Sequence, residues 1–271
     1  MVKIWPSGLR RRRLRSAREL LSAPLRGLLG TMTHVTTRDP VAALTFDDGP
    51  HPEYTPRLLE ILERHHARAT FFMVGENAER HKELVEQVAR AGHTLGNHSW
   101  DHRPFPLMSR RERRAQIRAC AATLAPHAAR LFRPPYGMQN MASRLDAARL
   151  GYQVVAWNVT ADDWSSGDAG FMADQMERHI RPGSVVLLHD RLVDALDKAY
   201  FDRRPLLEAV DILLRRLRGR FEFVTIPELL SHGRPHNVVW IKAANLKWLD
   251  RLQREDEPGR THWNRHARTS H

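Results

Sequence analysis

The sequence predicts an α/β fold in which short apolar strands alternate with amphipathic helices. Seven apolar segments between residues 41 and 224 are separated by stretches whose apolar residues recur at helical spacing. This alternation is typical of a parallel sheet with crossover helices. Polar residues suited to chemistry follow several of the segments, and the carboxyl ends of parallel strands meet at one face. Periodicity alone leaves a closed barrel and an open, doubly wound sheet as alternatives.

The predicted strands are short and mostly apolar. The first, residues 41–44, leads into the polar stretch 45–50, where Gly49 and Pro50 turn the chain. The other six follow in order at residues 69–74, 94–96, 131–132, 153–157, 185–188 and 221–224.

Start and stop signals delimit the helices between these strands. Thr55 followed by Pro56 is a capping residue with proline in the first turn, and Ser109 with Glu112 forms a capping box. Gly92 stops a helix. The predicted helices begin at residue 55 and then span residues 78–91, 109–124, 142–151, 170–180 and 205–218.

Length and charge indicate one domain with two basic ends. The chain has 271 residues, 42% of them hydrophobic, which suffices for one sizeable core. Residues 1–40 carry nine basic and two acidic side chains, and residues 231–271 carry eight and four. The stretch between them holds 26 basic and 25 acidic side chains. Because the basicity belongs to the ends rather than to the domain, we expect no nucleic-acid partner.

The predicted division follows from these shifts in composition. Residues 1–38 form a basic N-terminal arm, residues 39–230 form the domain, and residues 231–271 form a C-terminal extension. One helix is predicted over residues 237–252, and the tail from residue 255 is expected to be disordered because it has few apolar groups to bury. Cys120 is the only cysteine, so no intramolecular disulfide is possible.

The N-terminal arm does not have the pattern of a secretory signal. Arg26 interrupts the apolar residues that follow the arginines at 10–13, and no run of about 18 apolar residues exists for a transmembrane helix. We therefore expect a cytoplasmic location or a peripheral one at the inner membrane surface. Leucines at helical spacing among the arginines are consistent with a membrane-surface helix that binds anionic lipid, and also with a frayed or self-packing arm.

Two motifs together indicate a metal site. Asp47 and Asp48 follow the first strand, and adjacent carboxylates oppose each other's ionisation unless they share a cation. His98 and His102, four residues apart, place two imidazoles on one side of a helix or tight loop. Two imidazoles and one carboxylate leave positions open for water and substrate, as in catalytic zinc sites. Alone, the aspartates are a common turn and the histidines a common solvated pair.

Three further motifs follow apolar segments: Arg133 before Pro134-Pro135-Tyr136, Asp163 before Trp164, and His189 between Leu188 and Asp190. Each has a simpler interpretation, as a surface arginine, a buried tryptophan and a helix-capping histidine.

Taken in order, these five motifs resemble the polysaccharide deacetylases, the family 4 carbohydrate esterases. The resemblance spans roughly residues 41–230 and leaves both ends uncovered. It implies an irregular (β/α)7 barrel and a metal-dependent hydrolase that removes N-acetyl groups from amino sugars of a poly- or oligosaccharide. It also implies that Asp48, His98 and His102 bind a divalent metal, with Zn²⁺ the first expectation.

The resemblance implies roles for the other motif residues as well. Asp47 would be the base that deprotonates the attacking water, and Arg133 would pair with it. His189 would be the acid that protonates the leaving amine, with Asp163 as its partner.

Two aromatic residues are expected to bind the sugar. The backbone N–H of Tyr136 would stabilise the oxyanion while its ring forms part of the groove wall, and Trp164 would pack against the substrate. The family commonly has a further aspartate three positions before Asp163, where this chain has Thr160. This departure bears on substrate preference more than on the reaction.

Two other functions are compatible with the same residues. One is an O-acetyl esterase or N-deformylase acting on a polymeric or lipid-linked sugar. The other, from a different class, is a non-catalytic glycan-binding module, against which the full set of ligands and acid–base residues argues. These residues specify neither the glycan nor an oligomeric state.

Overall fold

The structure is a computed structural model that describes residues 29–195 and 197–242. The predicted arm up to residue 28, most of the predicted C-terminal helix and the predicted tail lie outside these ranges. Association of the arm with anionic lipid therefore stays a prediction. Within the described residues, no helix is both long enough and apolar enough to cross a bilayer.

One curled sheet of ten strands forms the centre of the molecule. The strands run β10-β1-β6-β5-β4-β3-β2-β8-β7 across the sheet, and β9 pairs with β2. The pairs are parallel except for β1 with β10. The strands are β1 (Thr31–Thr36), β2 (Val41–Asp47), β3 (Ala69–Met73), β4 (Thr94–Asn97), β5 (Ala128–Phe132), β6 (Gln153–Val155), β7 (Val159–Thr160), β8 (Val185–His189), β9 (Glu222–Phe223) and β10 (Arg234–Val238).

Backbone hydrogen bonds bring the two sides of the sheet together. The N–H of Val35 in β1 donates to Gly183 O before β8, at 2.9 Å. The N–H of Asn158, between β6 and β7, donates to Val185 O at 3.1 Å. The sheet thus curls into a barrel-like shape, and the predicted α/β barrel is confirmed.

Helices pack around the outside of the sheet. The described helices are α1 (Tyr54–Arg64), α2 (Gly75–Arg80), α3 (Lys82–Arg90), α4 (Arg110–Leu124), α5 (Met141–Arg149), α6 (Ala169–His179), α7 (Arg204–Leu217) and α8 (Ile226–Ser231). Leu58 and Leu62 of α1 and Leu213 of α7 are fully buried in the main core. The capping box predicted for Ser109 and Glu112 is present at the start of α4.

Two predicted helix features differ in the structure. The single helix predicted over residues 78–91 is two helices, because the backbone at His81 (φ −134°) leaves the helical conformation between α2 and α3. Helix α1 begins at Tyr54, and the hydroxyl of Thr55 does not cap it. That hydroxyl instead bonds the carboxylate of Asp190, the residue after His189.

The sheet extends past both domain boundaries predicted from the sequence. Residues 31–36, assigned to the arm, form β1, which is mostly buried, and residues 234–238, assigned to the C-terminal extension, form β10. The two strands pair antiparallel with Thr31 opposite Val238. Neither strand has an apolar run, because β1 is rich in threonine and β10 exposes polar side chains, so composition did not reveal them.

We expect β1 to be essential for stability. Met32 is fully buried against Val35, Val155 and Val224. Met32→Ala should lower the free energy of unfolding by about 2–5 kcal/mol, since the lost contacts leave a cavity. Denaturant unfolding followed by circular dichroism measures the change.

The matched control is Met141→Ala, because Met141 is 53% exposed. That variant should stay within about 0.5 kcal/mol of the parent, as is usual for surface positions. Equal stability of the two variants would show that β1 is not part of the folding unit.

Candidate metal centre and active site

Residues at the carboxyl ends of the parallel strands line one cleft of about 340 Å³. Asp47 ends β2, His189 ends β8, and the two residues are directly paired across these strands. The loops after β4 and β5 add the histidines and Tyr136. The lining comprises Asp47, Asp48, His98, His102, Tyr136, Gly137, Trp157, Trp164, Ser165, Leu187, Leu192, Asp194, Ala195, His189 and Lys242.

Asp48 is held in an unusual backbone conformation that directs its carboxylate to the histidines. Its φ of 72° lies in the left-handed region, which aspartate tolerates better than most residues. The Asn77 side chain donates to Asp48 O at 2.8 Å, and the backbone N–H of Val193 donates to Asp48 Oδ2 at 3.0 Å. The remaining oxygen, Oδ1, lies 3.1 Å from His102 Nε2 and 3.3 Å from His98 Nε2.

A tight loop, rather than a helix, brings the two histidines together. Ser99 and His102 both have positive φ, at 70° and 61°. The Asn97 side chain accepts from the Ser99 N–H at 2.9 Å, and the Ser99 hydroxyl accepts from the His102 N–H at 3.2 Å. Gln116 of α4 also accepts from two backbone N–H groups of this loop. Asn97 and Gln116 were not identified from the sequence because single amides carry no motif.

The donor atoms of Asp48, His98 and His102 fit a divalent cation. One ligand atom from each lies within 4.8 Å of the others, and all three residues are buried. Asp48 Oδ1 is buried without a hydrogen-bond partner, which is costly unless a cation compensates it. His98 Nδ1 lies 2.7 Å from Arg133 O; it must carry the proton there, which leaves Nε2 free to bind metal.

The electrostatics of Asp48 favour the same conclusion. Burial raises the pKa of the Asp48 carboxyl, but the imidazoles of His102 and His98 outweigh it and hold that pKa well below its usual range. Burial opposes the charge on His102, and the nearby Asp48 carboxylate raises its pKa. A carboxylate that stays ionised at this depth is a suitable ligand for a hard cation.

Arg133 lies beneath the cleft and orients Asp47. The arginine is completely buried, and its Nη1 donates to Asp47 Oδ1 at 2.7 Å and to Thr45 Oγ1 at 2.8 Å. Its other donors reach the carbonyls of Val155 and Ala156. The guanidinium carbon also lies 4.2 Å from the centre of the Phe72 ring. Arg133 is therefore not the surface residue of the simpler interpretation, although it does not line the cleft.

His189, at the end of β8, is paired with Asp163. Its Nδ1 lies 3.1 Å from Asp163 Oδ1, and its backbone N–H donates to Asp163 Oδ2 at 3.0 Å. Burial lowers the pKa of His189, but Asp163, with smaller contributions from Asp48 and Asp47, raises it to about 9. The imidazole is therefore protonated at neutral pH. The Trp164 ring stands edge-on to it, with centroids 5.7 Å apart.

Arg203 is a residue of this site that the sequence did not reveal. It is buried at the start of α7, where its Nη1 donates to Asp163 O at 2.9 Å and its Nη2 bonds the Asp163 carboxylate. Its Nε also donates to His189 O at 3.1 Å. The only sequence signal was its place two residues before the predicted helix start at residue 205, which does not distinguish it from a surface arginine.

Asp190 is a buried acid for which no role was predicted from the sequence. Thr55 bonds its carboxylate, and burial raises its pKa to about 7. A Cβ at Gly49 would lie 2.4 Å from Asp190 Oδ1, so only glycine fits there, next to Asp48.

Tyr136 lies against the candidate metal site. Its ring centroid is 4.4 Å from that of His102, and its hydroxyl bonds Asp194. Its φ of 57° is left-handed, a conformation that costs a residue with a side chain about 1–2 kcal/mol. Thr160, in β7, is not among the residues that line the cleft, and its hydroxyl bonds Asp162, so the departure at this position leaves the His189–Asp163 pair in place.

Comparisons with known proteins agree with this geometry. A family model described as polysaccharide deacetylase matches residues 34–155. A peptidoglycan-N-acetylglucosamine deacetylase of Bacillus cereus is 38% identical over 194 residues, which cover 70% of this chain and 68% of the relative. A chitooligosaccharide deacetylase of Sinorhizobium fredii is 34% identical over 166 residues, covering 60% and 77%.

The fold is also that of a solved relative. The crystal structure of the Bc1960 peptidoglycan N-acetylglucosamine deacetylase superimposes with a TM-score of 0.68 at 30% identity, covering 75% of this chain and 94% of that one. Identity at this level extends over most of both chains. The chain therefore belongs to the polysaccharide deacetylase family, the family 4 carbohydrate esterases.

Proposed function

We propose that this protein is a metal-dependent hydrolase that removes N-acetyl groups from amino sugars in a poly- or oligosaccharide. The observation that carries the proposal is the arrangement of three units around one cleft. The Asp48–His98–His102 group lines the same cleft as Asp47, which is fixed by a buried arginine, and His189, which is fixed by a buried aspartate.

Asp48, His98 and His102 would hold the metal, and two imidazoles with one carboxylate support Zn²⁺. When bound there, the cation supplies a Lewis acid that lowers the pKa of water and polarises the acetyl carbonyl.

Asp47 is the base of the proposed reaction. Its Oδ1 is occupied by Arg133, whereas its Oδ2 lies 3.8 Å from His98 Nε2, on the side of the candidate metal site. Because Arg133 fixes Oδ1, we propose that Oδ2 is the oxygen that accepts a proton from the water that attacks the carbonyl.

His189 is the acid of the proposed reaction. Because Nδ1 faces Asp163, Nε2 is the atom that donates its proton to the amide nitrogen as the carbon–nitrogen bond breaks. Protonation is required, because an unprotonated amine is a poor leaving group. The backbone N–H of Tyr136 is proposed to donate to the oxyanion.

The cleft is suited to a sugar with an N-acetyl group. Trp157, Trp164 and Tyr136 give it aromatic walls, and Leu187 and Leu192 add apolar surface for a methyl group. The named relatives act on N-acetylglucosamine in peptidoglycan and on chitooligosaccharides, and we propose a glycan of this class as the substrate.

Two alternatives use the same residues differently. An O-acetyl esterase or an N-deformylase would need the same water, base and metal, and differs in the group released. A glycan-binding module would need none of the acid–base pairs, and the buried Asp47–Arg133 and His189–Asp163 pairs argue against it.

Acetate release tests the proposed function directly. N-acetylated and O-acetylated saccharides are incubated with the protein, and free acetate and formate are measured with and without a chelator. We expect chelator-sensitive acetate release from N-acetyl substrates. Asp47→Asn should lower kcat by roughly 10²–10⁴, because the base is lost while the shape is kept.

The control for Asp47→Asn is Asp174→Asn, at an exposed carboxylate outside the cleft. Release from esters alone would change the substrate class, and release of formate alone would favour the deformylase. A fully active Asp47→Asn variant would remove Asp47 as the base.

Metal binding tests the ligand set independently of activity. Asp48→Asn keeps a residue that tolerates positive φ but removes the charged ligand. We expect its affinity for Zn²⁺ to fall by more than the roughly 10–100-fold that loss of an outer hydrogen-bond partner costs. Equilibrium dialysis with elemental analysis measures it.

The control is His127→Ala, because His127 is exposed and is not one of the proposed ligands. This variant should bind about as much metal as the parent. Unchanged binding by Asp48→Asn would contradict the assigned site.

The pH dependence of kcat tests the acid. With a pKa of about 9, His189 is protonated below that pH, and activity should be lost as the pH rises through it. Because the Asp163 charge raises this pKa, Asp163→Asn should move the alkaline limb to lower pH.

The control is Asp162→Asn, at an exposed neighbouring position, which should leave the alkaline limb of the kcat profile in place. Circular dichroism checks that Asp163→Asn is folded, since the substitution also removes a partner of Arg203. A limb that stays in place in a folded variant would exclude His189 as the acid.

A further inference from the structure

Residues 240–242 contact the loop that carries Tyr136, and neither the five motifs nor the family match over residues 34–155 includes them. We infer that Trp240 and Lys242 are positioning residues of the active site, because they hold the Tyr136 loop in the conformation that directs its backbone N–H. The inference rests on the proposed function, in which that N–H stabilises the oxyanion.

Four hydrogen bonds join the two segments. Lys242 Nζ donates to Tyr136 O at 2.9 Å, and Trp240 Nε1 donates to Gly137 O at 3.0 Å. Backbone bonds between Gln139 and Lys242 run in both directions, at 2.9 and 3.1 Å. The Lys242 ammonium gives a charge-assisted bond, which is stronger than a neutral one.

The held loop has a conformation that it would not keep by itself. Tyr136 and Gly137 both have left-handed backbone angles, with φ of 57° and 62°. A left-handed residue with a side chain persists only where its surroundings determine it. Bonds to the carbonyls of Tyr136 and Gly137, together with the Gly137 N–H to Pro134 O bond at 2.9 Å, fix the peptide planes that follow Tyr136. Through the two backbone dihedrals of Tyr136, they also fix the plane of its own N–H.

Aromatic packing fixes the same loop from a second side. The Trp240 ring packs on Trp157, with centroids 5.3 Å apart, and both Trp157 and Lys242 line the cleft. A Cβ at Gly137 would lie 2.8 Å from the Trp157 ring, so the loop passes directly against it. Residues 240–242 therefore contact both the Tyr136 loop and Trp157 of the cleft wall, and Lys242 itself lines the cleft.

Three variants separate positioning from general stability. Lys242→Met removes the donor and keeps the length of the side chain, Lys242→Arg keeps a charged donor, and Trp240→Phe removes the indole N–H and keeps an aromatic ring. Val239→Ala is the control, because Val239 is 64% exposed and makes no contact with the loop among those described. The readouts are kcat and KM, bound Zn²⁺, the thermal midpoint, and hydrogen exchange of the backbone amides of residues 136–139.

We expect Lys242→Met and Trp240→Phe to lower kcat by about 10–100-fold, since a misplaced oxyanion donor weakens stabilisation of the transition state. Bound Zn²⁺ should change less than about twofold, because the metal ligands are kept. KM should change by a smaller factor than kcat, because the aromatic residues that line the cleft are also kept. Amide exchange at residues 136–139 should become faster. Lys242→Arg should restore most of kcat, and Val239→Ala should resemble the parent throughout.

Unchanged exchange in both variants would overturn the inference, as would faster exchange with unchanged kcat. A loss of activity that follows the thermal midpoint, with no rescue by arginine, would show a structural role only. If the parent released no acyl group from any saccharide, the proposed function would fall. Hydrogen exchange would still decide whether the 240–242 segment holds the loop.

Discussion

A buried arginine between the sheet and the cleft is the constraint on which the site depends. Arg133 is completely buried, and its guanidinium bonds Asp47, Thr45 and two carbonyls. Its own carbonyl accepts from His98 Nδ1, and its N–H donates to Asn97 O at 3.0 Å. One residue thus fixes the direction of the proposed base and of a proposed metal ligand. Because an unpaired buried charge is strongly destabilising, neither partner can move away from it without cost.

The proposed acid, His189, is held in the same way. Arg203 is buried and bonds Asp163, so solvent does not reach the pair and does not compete for it. Asp163 in turn holds His189 by both its side chain and its backbone. The two buried ion pairs have opposite effects on the groups that face the cleft. Arg133 fixes the direction of a carboxylate that is proposed to accept a proton, whereas Asp163 raises the pKa of an imidazole that is proposed to donate one.

The parts of the molecule that could be predicted from the sequence are those with a local pattern, namely apolar segments and the polar motifs that follow them. The alternation of strands and helices predicted an α/β fold with a parallel sheet, and the resemblance of five motifs to a known family implied the barrel and the ligands Asp48, His98 and His102. Arg203 and Gln116 were missed, since each acts through a contact distant in the chain and has no local pattern. The strands β1 and β10 were missed because threonine and polar residues at a sheet edge lack the apolar run by which a buried strand is recognised. Trp240 and Lys242 were missed for a related reason, as their partners belong to a loop about a hundred residues earlier.

The antiparallel pairing of β1 and β10 has a consequence for how the molecule can be attached to its surroundings. Thr31 lies opposite Val238, and the Gln139 side chain, beside the Tyr136 loop, donates to the Thr31 hydroxyl at 2.7 Å. The chain therefore enters the barrel at Thr31 and passes Lys242 on the side where the cleft opens. Surfaces attached through residue 31 and through residue 242 would therefore lie on the same side of the described domain, next to the Tyr136 loop.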